Sequence, residues 1–338
     1  MRKYGRLLGS LILVVLLVWR IEWRQVARAF AQLDATYWLL ALGLYLFSQG
    51  ISAARWQMLG RMLGLGGRWP DYLGPYFIGM FFNLVLPTSV GGDVVRAWYL
   101  SRRDQIALST HPPSTSTRLT SFLSVLADRV NGLAVLIAVA CVATVCCPMP
   151  LPGWIVAIVA GIGGACLLGF AVLPFLPWLR RLLEAYPRLT SVLDGANLCL
   201  RNRRGLAAVS VLSLMVQLAN IVLAWLVGEG LGLEVPPLYY GVLIPLVSIL
   251  TLLPISLNGM GLREAGTVLL LAPLHVSSAS AVTLSLLLFA IYTVASLMGG
   301  VVYLFGRSPR FSMEASGHAN SVGGDSNQGR MRKPSAAA

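Results

Sequence analysis

An all-α polytopic membrane protein is the fold class this sequence predicts, with about six full spans and two inverted re-entrant helical hairpins. Three observations carry the prediction. Of the 338 residues, 57% are hydrophobic and only 12% charged, about half the charge of an ordinary soluble domain. Several apolar runs are long enough to cross a hydrocarbon core of about 30 Å, which takes roughly 20 helical residues. The cations gather in short segments between those runs, as topogenic charge does.

The first run, residues 7–19, is short for a span. Arg6 and Arg20 can snorkel, and Tyr4 and Trp23 suit the interface, so a tilted crossing is expected. A cleaved signal peptide is the competing reading, with Met1-Arg2-Lys3 as its basic start and Ala29-Phe30-Ala31 as its cleavage site. The charged stretch from Arg20 to Arg28 sets that site too far from the apolar core, which favours a retained anchor. Over residues 22–34, Trp23, Val26, Phe30 and Leu33 recur at helical spacing, predicting an amphipathic helix in the interface. Spans follow at about 36–54, 119–146, 153–174, 206–229 and 280–304. Two more apolar stretches, 71–100 and 238–275, are interrupted by Pro and Gly. Residues 1–306 thus form a transmembrane unit, and the polar, basic stretch 307–338 reads as a disordered cytoplasmic tail.

Orientation follows from the cations. If each interrupted stretch enters and leaves on one side, the inside segments hold 20 of the 26 Lys and Arg residues and the outside holds Arg20, Arg24 and Arg28. Arg96, Arg129 and Arg263 are left in apolar surroundings. That imbalance places both termini in the cytoplasm, in a multi-pass protein of the plasma membrane.

The two interrupted stretches contain a repeat. Residues 86–96, Leu-Pro-Thr-Ser-Val-Gly-Gly-Asp-Val-Val-Arg, align without gaps on residues 253–263, Leu-Pro-Ile-Ser-Leu-Asn-Gly-Met-Gly-Leu-Arg. Five of the eleven positions are identical, at a constant offset of 167. Three spans separate the copies, so they should point in opposite directions. Paired Gly/Pro-interrupted segments of this kind point to a substrate site near the bilayer midplane. Pro87 and Pro254 stop the incoming helix. Gly91-Gly92 and Asn258-Gly259-Met260-Gly261 permit a tight turn and close approach of a ligand. The helix that follows offers free N–H groups and a positive dipole end to an anion. Arg96 and Arg263 lie about one turn farther on, where a guanidinium can grip a phosphate with two hydrogen bonds. Asp93 suits an N-cap and can also pair with Arg96.

The candidate substrate-binding residues are therefore Asn83, Gly91, Gly92, Asp93, Arg96, Asp128, Arg129, Asn258, Gly259, Gly261, Arg263 and Glu264. A plainer reading stands beside the ligand role: Asp93–Arg96 and Arg263–Glu264 are closed pairs that fasten the hairpins. For Asp128 and Arg129 two readings are also open. Either they face the same cavity, with Arg129 neutralising a hairpin carboxylate, or their helix begins late and leaves both at the interface. Asn83 and Asn220 are equally suited to bonding between helices, and Glu229 closes its span at the interface.

Several functions find no support. The basic balance carries no nucleic-acid fingerprint. Five cysteines without a CxxC spacing and three scattered histidines suggest neither a disulfide framework nor a metal site. No nucleotide-binding loop or catalytic signature appears, so neither cofactor nor enzymatic chemistry is expected.

Taken together, these residues resemble the lysylphosphatidylglycerol synthase transmembrane-region family, also called flippase-like domain proteins. The resemblance rests on Arg55-Trp56 and on Asn83 through Leu-Pro to Gly91-Gly92-Asp93 and Arg96. It continues through Asp128-Arg129 with Gly132, and from Pro254-Ile255-Ser256 to Arg263-Glu264, and so spans nearly all of residues 1–306. It implies an α-helical fold with a lipid-accessible cavity, and movement of a phospholipid between leaflets. The soluble aminoacyltransferase domain of the best-known members has no counterpart here, so lysyl transfer does not carry over. Met260 departs from the pattern as a bulky residue expected to narrow the second turn. The expected function is a transporter moving an anionic or phosphate-bearing lipid by alternating access of the two hairpins. An accessory subunit partnering a lipid-biosynthetic enzyme is the alternative, and a membrane enzyme using Asp93, Asp128 or Glu264 is a third reading.

Overall fold

The computed structural model describes residues 34–86, 91–108, 115–147, 151–172, 178, 187–252 and 259–305. The expected first crossing, nearly all of the interfacial helix at 22–34, the tail at 307–338, and Pro87, Pro254 and Asn258 lie outside the described residues.

Among the described residues the protein is all helical. The helices are α1 (Ala35–Met62), α2 (Trp69–Val85), α3 (Gly91–Leu108), α4 (Thr115–Cys146) and α5 (Gly153–Val172). They continue with α6 (Pro187–Arg201), α7 (Arg203–Gly230), α8 (Pro237–Leu252), α9 (Leu262–Leu271) and α10 (Ser278–Phe305). By length and composition, α1, α4, α7 and α10 can each cross a membrane, while α5 and α8 are apolar but shorter. Local chemistry sets the ends. Asp34 Oδ1 accepts from Thr36 N at 2.9 Å to open α1. Asn202 caps α7 through Gly205 N at 3.0 Å. Pro70 and Pro237 occupy first-turn positions, where a missing N–H costs nothing.

The helix directions are fixed by specific contacts. Asp34 N bonds Gly230 O at one end of α1, and Arg55 bonds Ser213 farther along, so α1 and α7 run antiparallel. Trp38 Nε1 donates to Leu287 O and Tyr45 packs on Tyr292, so α1 and α10 run parallel. Each interrupted stretch folds back on itself. In the first, Gly92 meets Asn83 and Gly79, and Arg96 meets Tyr76. In the second, Gly259 meets Thr251, Gly266 meets Leu250, and Tyr239 Oη bonds Leu270 O. Both are antiparallel helical pairs. The first is entered from the Met62 end of α1 and the second from the Gly230 end of α7, which is the opposite end of the α1–α7 pair.

The largest apolar core lies around the second pair. Every residue from Tyr239 to Val247 on α8 is buried, packed with Leu223 and Val227 of α7 and Leu284, Leu288 and Ile291 of α10. A helix buried on all sides belongs to a bundle interior. The outer faces stay apolar: Phe47, Val145, Leu167, Leu168, Val301 and Phe305 are exposed. Such surface suits hydrocarbon and not water.

Two features depart from the sequence reading. The first described span reaches Met62 instead of ending near residue 54, so Arg55, counted there as a loop cation, lies inside a helix. Residues 187–201, read as part of a basic inside segment, form α6, whose Cys199 packs on Leu59 and Val209.

Close approach between helices depends on two glycines. A Cβ at Gly92 would overlap the carbonyl oxygen of Gly79, and one at Gly299 would overlap that of Phe77. Gly92→Ala and Gly299→Ala should each lower stability by about 1–3 kcal/mol, the cost of overpacking. Gly164→Ala, which meets nothing within 4 Å, should leave the thermal midpoint of the detergent-purified protein unchanged or raise it.

Candidate functional site

Three helices, α1, α3 and α4, bring their charges to one place. Arg55 on α1 donates from Nε to Asp128 Oδ1 at 2.8 Å and from Nη1 to Ser213 Oγ of α7 at 3.0 Å. Arg96 on α3 donates from Nη2 to the other Asp128 oxygen at 3.1 Å, and its Nη1 lies 3.5 Å from Asp93. Arg129, next to Asp128 on α4, donates to both Asp93 oxygens at 2.9 and 3.0 Å. Three guanidiniums thus share two carboxylates. Four of these five groups, Asp93, Arg96, Asp128 and Arg129, were expected as substrate-binding residues; here they form one linked network with Arg55.

The surroundings hold this network in place. The Arg96 guanidinium lies between the rings of Trp56 and Tyr76, 4.3 Å from each centroid. Each such contact contributes about 1–2 kcal/mol when desolvated. Gly79 leaves room for the aliphatic stem of Arg96, and Gly132 for the Arg55 guanidinium. Trp56 Nε1 donates to Ser124 Oγ at 3.1 Å. Asn131 joins Ser210 and Ser213 of α7 to α4. Burial is nearly complete except at one member: the Asp128 side chain is 2% exposed and that of Arg129 48%.

The start of α3 differs from its expected use. Asn83 Oδ1 accepts from Gly92 N at 2.8 Å, so this N–H is engaged by the neighbouring helix. Asp93 sits in the first turn and reaches Arg129 across to α4. Gly92 serves the approach of α2, and Gly91 opens the helix beside it.

The second centre is smaller and local. Gly259 and Gly261 have φ of 73° and 84°, a region open to glycine at little cost. Glu264 Oε2 accepts from Gly261 N at 2.7 Å, closing the start of α9. Arg263 bonds Glu264, donates to Ser285 Oγ at 3.2 Å and covers the Phe289 ring at 4.2 Å. Met260, expected to narrow this turn, is exposed. The aligned arginines are not equivalent: Arg96 follows the first turn of α3, whereas Arg263 is the second residue of α9.

The two centres stand apart. Arg263 contacts α10 beside Leu287, which is level with Trp38 of α1. From Trp38 to Arg55 the rise along α1 is roughly 25 Å. Asp93, Arg96, Asp128 and Arg129 are therefore brought together, and Gly259, Gly261, Arg263 and Glu264 form a separate group. Arg55, Trp56 and Tyr76 complete the first centre without having been singled out as site residues. The Arg55-Trp56 pair was visible in the sequence, but the apolar window ended one residue before it.

The family model described as lysylphosphatidylglycerol synthase TM region matches residues 5–300. The chain belongs to this family. No curated protein and no solved structure matches it. Membership makes this a membrane protein linked to lipid handling, and the matched region takes in both charge centres of this lysylphosphatidylglycerol synthase TM-region member.

Asp128 binds two buried cations, so Asp128→Ala should destabilise the protein by about 3–5 kcal/mol, the usual result of leaving a buried charge unpaired. Thermal unfolding in detergent checks this. A double-mutant cycle of Arg55→Ala with Asp128→Ala should show strong coupling, and simple additivity would count against the network.

Proposed function

We propose that the protein is a flippase-like transporter that carries an anionic or phosphate-bearing lipid between the leaflets of the plasma membrane. The observation that carries this reading is the first centre: three guanidiniums against two carboxylates, where α3 meets α1 and α4, both apolar enough to span. Charges at such depth are expensive and by default serve a function. An excess of guanidinium suits a phosphate or carboxylate head group, while the acyl chains stay in the bilayer.

The helix directions support the topology this function needs. With α4 and α5 crossing once each, antiparallel α1 and α7 require the first hairpin to cross an even number of times. Antiparallel α7 and α10 require the same of the second. Two hairpins entered from opposite ends are what alternating access by inverted repeats calls for. The centres, roughly 25 Å apart along α1, serve as two stations for the head group rather than one clamp. Between them α1 presents the buried polar residues Ser48, Gln49 and Ser52, and Tyr45 against Tyr292.

One observation favours a second reading. Arg96 and Arg263 are both bonded within the protein, as an accessory subunit that fastens its hairpins and moves nothing would have them. Proteoliposomes separate the two. With head-group-labelled phosphatidylglycerol and an impermeant quencher, a transporter should speed loss of inner-leaflet signal well beyond that for labelled phosphatidylcholine. A rate equal to that of protein-free vesicles for both lipids would overturn the transporter and favour the accessory reading.

Topology has its own check. Once the native cysteines are replaced, an impermeant thiol reagent should reach Glu234→Cys from outside intact cells and Gly66→Cys only after the membrane is opened. The reverse pattern would invert the proposed orientation.

A further inference from the structure

Arg129 differs from the other members of the first centre. Its side chain is 48% exposed, while those of Arg55, Arg96, Asp93 and Asp128 are between 2% and 11% exposed. Its grip on Asp93 is two-pronged, through Nε and Nη2. A guanidinium presents this same edge to a phosphodiester or carboxylate. Asp93 therefore occupies, from within the chain, the position an anionic ligand would take.

Asp93 has somewhere else to go. Arg96 Nη1 lies 3.5 Å away, and the buried Arg96 Nε has no hydrogen-bond partner. Asp128 needs nothing from Arg129, because Arg55 and Arg96 already hold both of its oxygens. The exchange thus leaves no carboxylate unpaired. Charge sets the ligand class. The five side chains carry one net positive charge, which one monoanion neutralises; a dianion would leave a negative excess at membrane depth, and a zwitterion would leave the positive one.

We propose that Arg129 docks one monoanionic head group, a phosphodiester or carboxylate, and that Asp93 is a built-in competitor displaced onto Arg96 when the head group binds. This rests on the lipid-carrying reading above and adds the binding residue, the charge of the ligand and the internal competition.

The test is native mass spectrometry of the full chain from mixed micelles holding equal phosphatidylglycerol and phosphatidylcholine, repeated with dimethyl phosphate as a soluble phosphodiester. Wild type should retain phosphatidylglycerol preferentially. Asp93→Asn should raise its occupancy at limiting lipid by roughly tenfold, the gain expected when a competitor leaves the site open only one-tenth of the time. Arg129→Gln should abolish the preference, with or without Asp93→Asn. Should Asp93→Asn not fold, Arg129→Lys decides: it keeps the charge, and should retain more phosphatidylglycerol than Arg129→Gln. Equal loss in Lys and Gln variants would overturn the charge argument. Arg129-dependent retention that Asp93→Asn leaves unchanged or weakens would overturn the competition while sparing the lipid reading. Arg129-dependent binding of dimethyl phosphate without lipid preference would keep the anion site and overturn its lipid source. No preference in any variant would sink the lipid reading itself.

Discussion

The pairing of Asp128 with Arg55 and Arg96 is the interaction on which the rest of the structure depends. A carboxylate taken from water loses several kcal/mol of solvation, regained only when opposite charge and hydrogen bonds replace the water. In a helix bundle surrounded by hydrocarbon those replacements must come from other helices. One guanidinium comes from α1 and one from α3, at 2.8 and 3.1 Å. Each then imposes demands of its own. Arg55 needs Ser213 and the open space at Gly132, and Arg96 needs two aromatic faces and the open space at Gly79. The positions of α1, α2, α3, α4 and α7 follow from satisfying one buried carboxylate.

The two copies of the repeat solve the same problem differently. In the second, Glu264 follows Arg263 directly, so the charge is answered within one turn and the carboxylate also closes the start of α9. That centre is electrically neutral, with both charges on α9. In the first copy the acid precedes the arginine by three residues, and Asp93 is drawn across to α4 by Arg129. The pairing there runs between helices, so any movement of the first hairpin relative to α4 must break or exchange an ion pair. The matched pairs Gly92/Gly259 and Arg96/Arg263 thus hold unequal mechanical roles.

What the sequence could disclose depended on the range of the interaction. Helix-length apolar runs report their own structure, and the expected spans from 119–146 onward lie within a few residues of α4, α5, α7 and α10. The pair Arg263–Glu264 was likewise visible as a closed pair, because adjacency alone puts the two within reach; Asp93 and Arg96 also lie near each other, but Arg129 takes the shorter bonds to Asp93. Arg129–Asp93 was foreseeable only as one of two options, since 36 residues separate the partners and they lie on different helices. Arg55 was misplaced because a charge at the edge of an apolar run looks the same whether it faces water or a buried aspartate. The helix α6 was hidden for a related reason: its arginines read as topogenic charge, although Leu189, Val192, Leu193 and Ala196 recur at helical spacing. Gly92 looked like a place for a ligand, but a glycine that admits a ligand cannot be told by sequence from one that admits a neighbouring helix.

A carrier of the kind proposed must release what it binds, so the geometry would bear on rate as well as recognition. A cluster of bare guanidiniums deep in a membrane would hold a phosphodiester tightly and surrender it slowly. A carboxylate waiting beside the docking cation lowers affinity by competing for it, yet it leaves selectivity for charge intact, because only an anion can take its place. The same carboxylate lowers the cost of the empty state, since Arg129 is then paired instead of facing hydrocarbon alone. In the proposed cycle both ends would be stabilised by one side chain moving between two arginines.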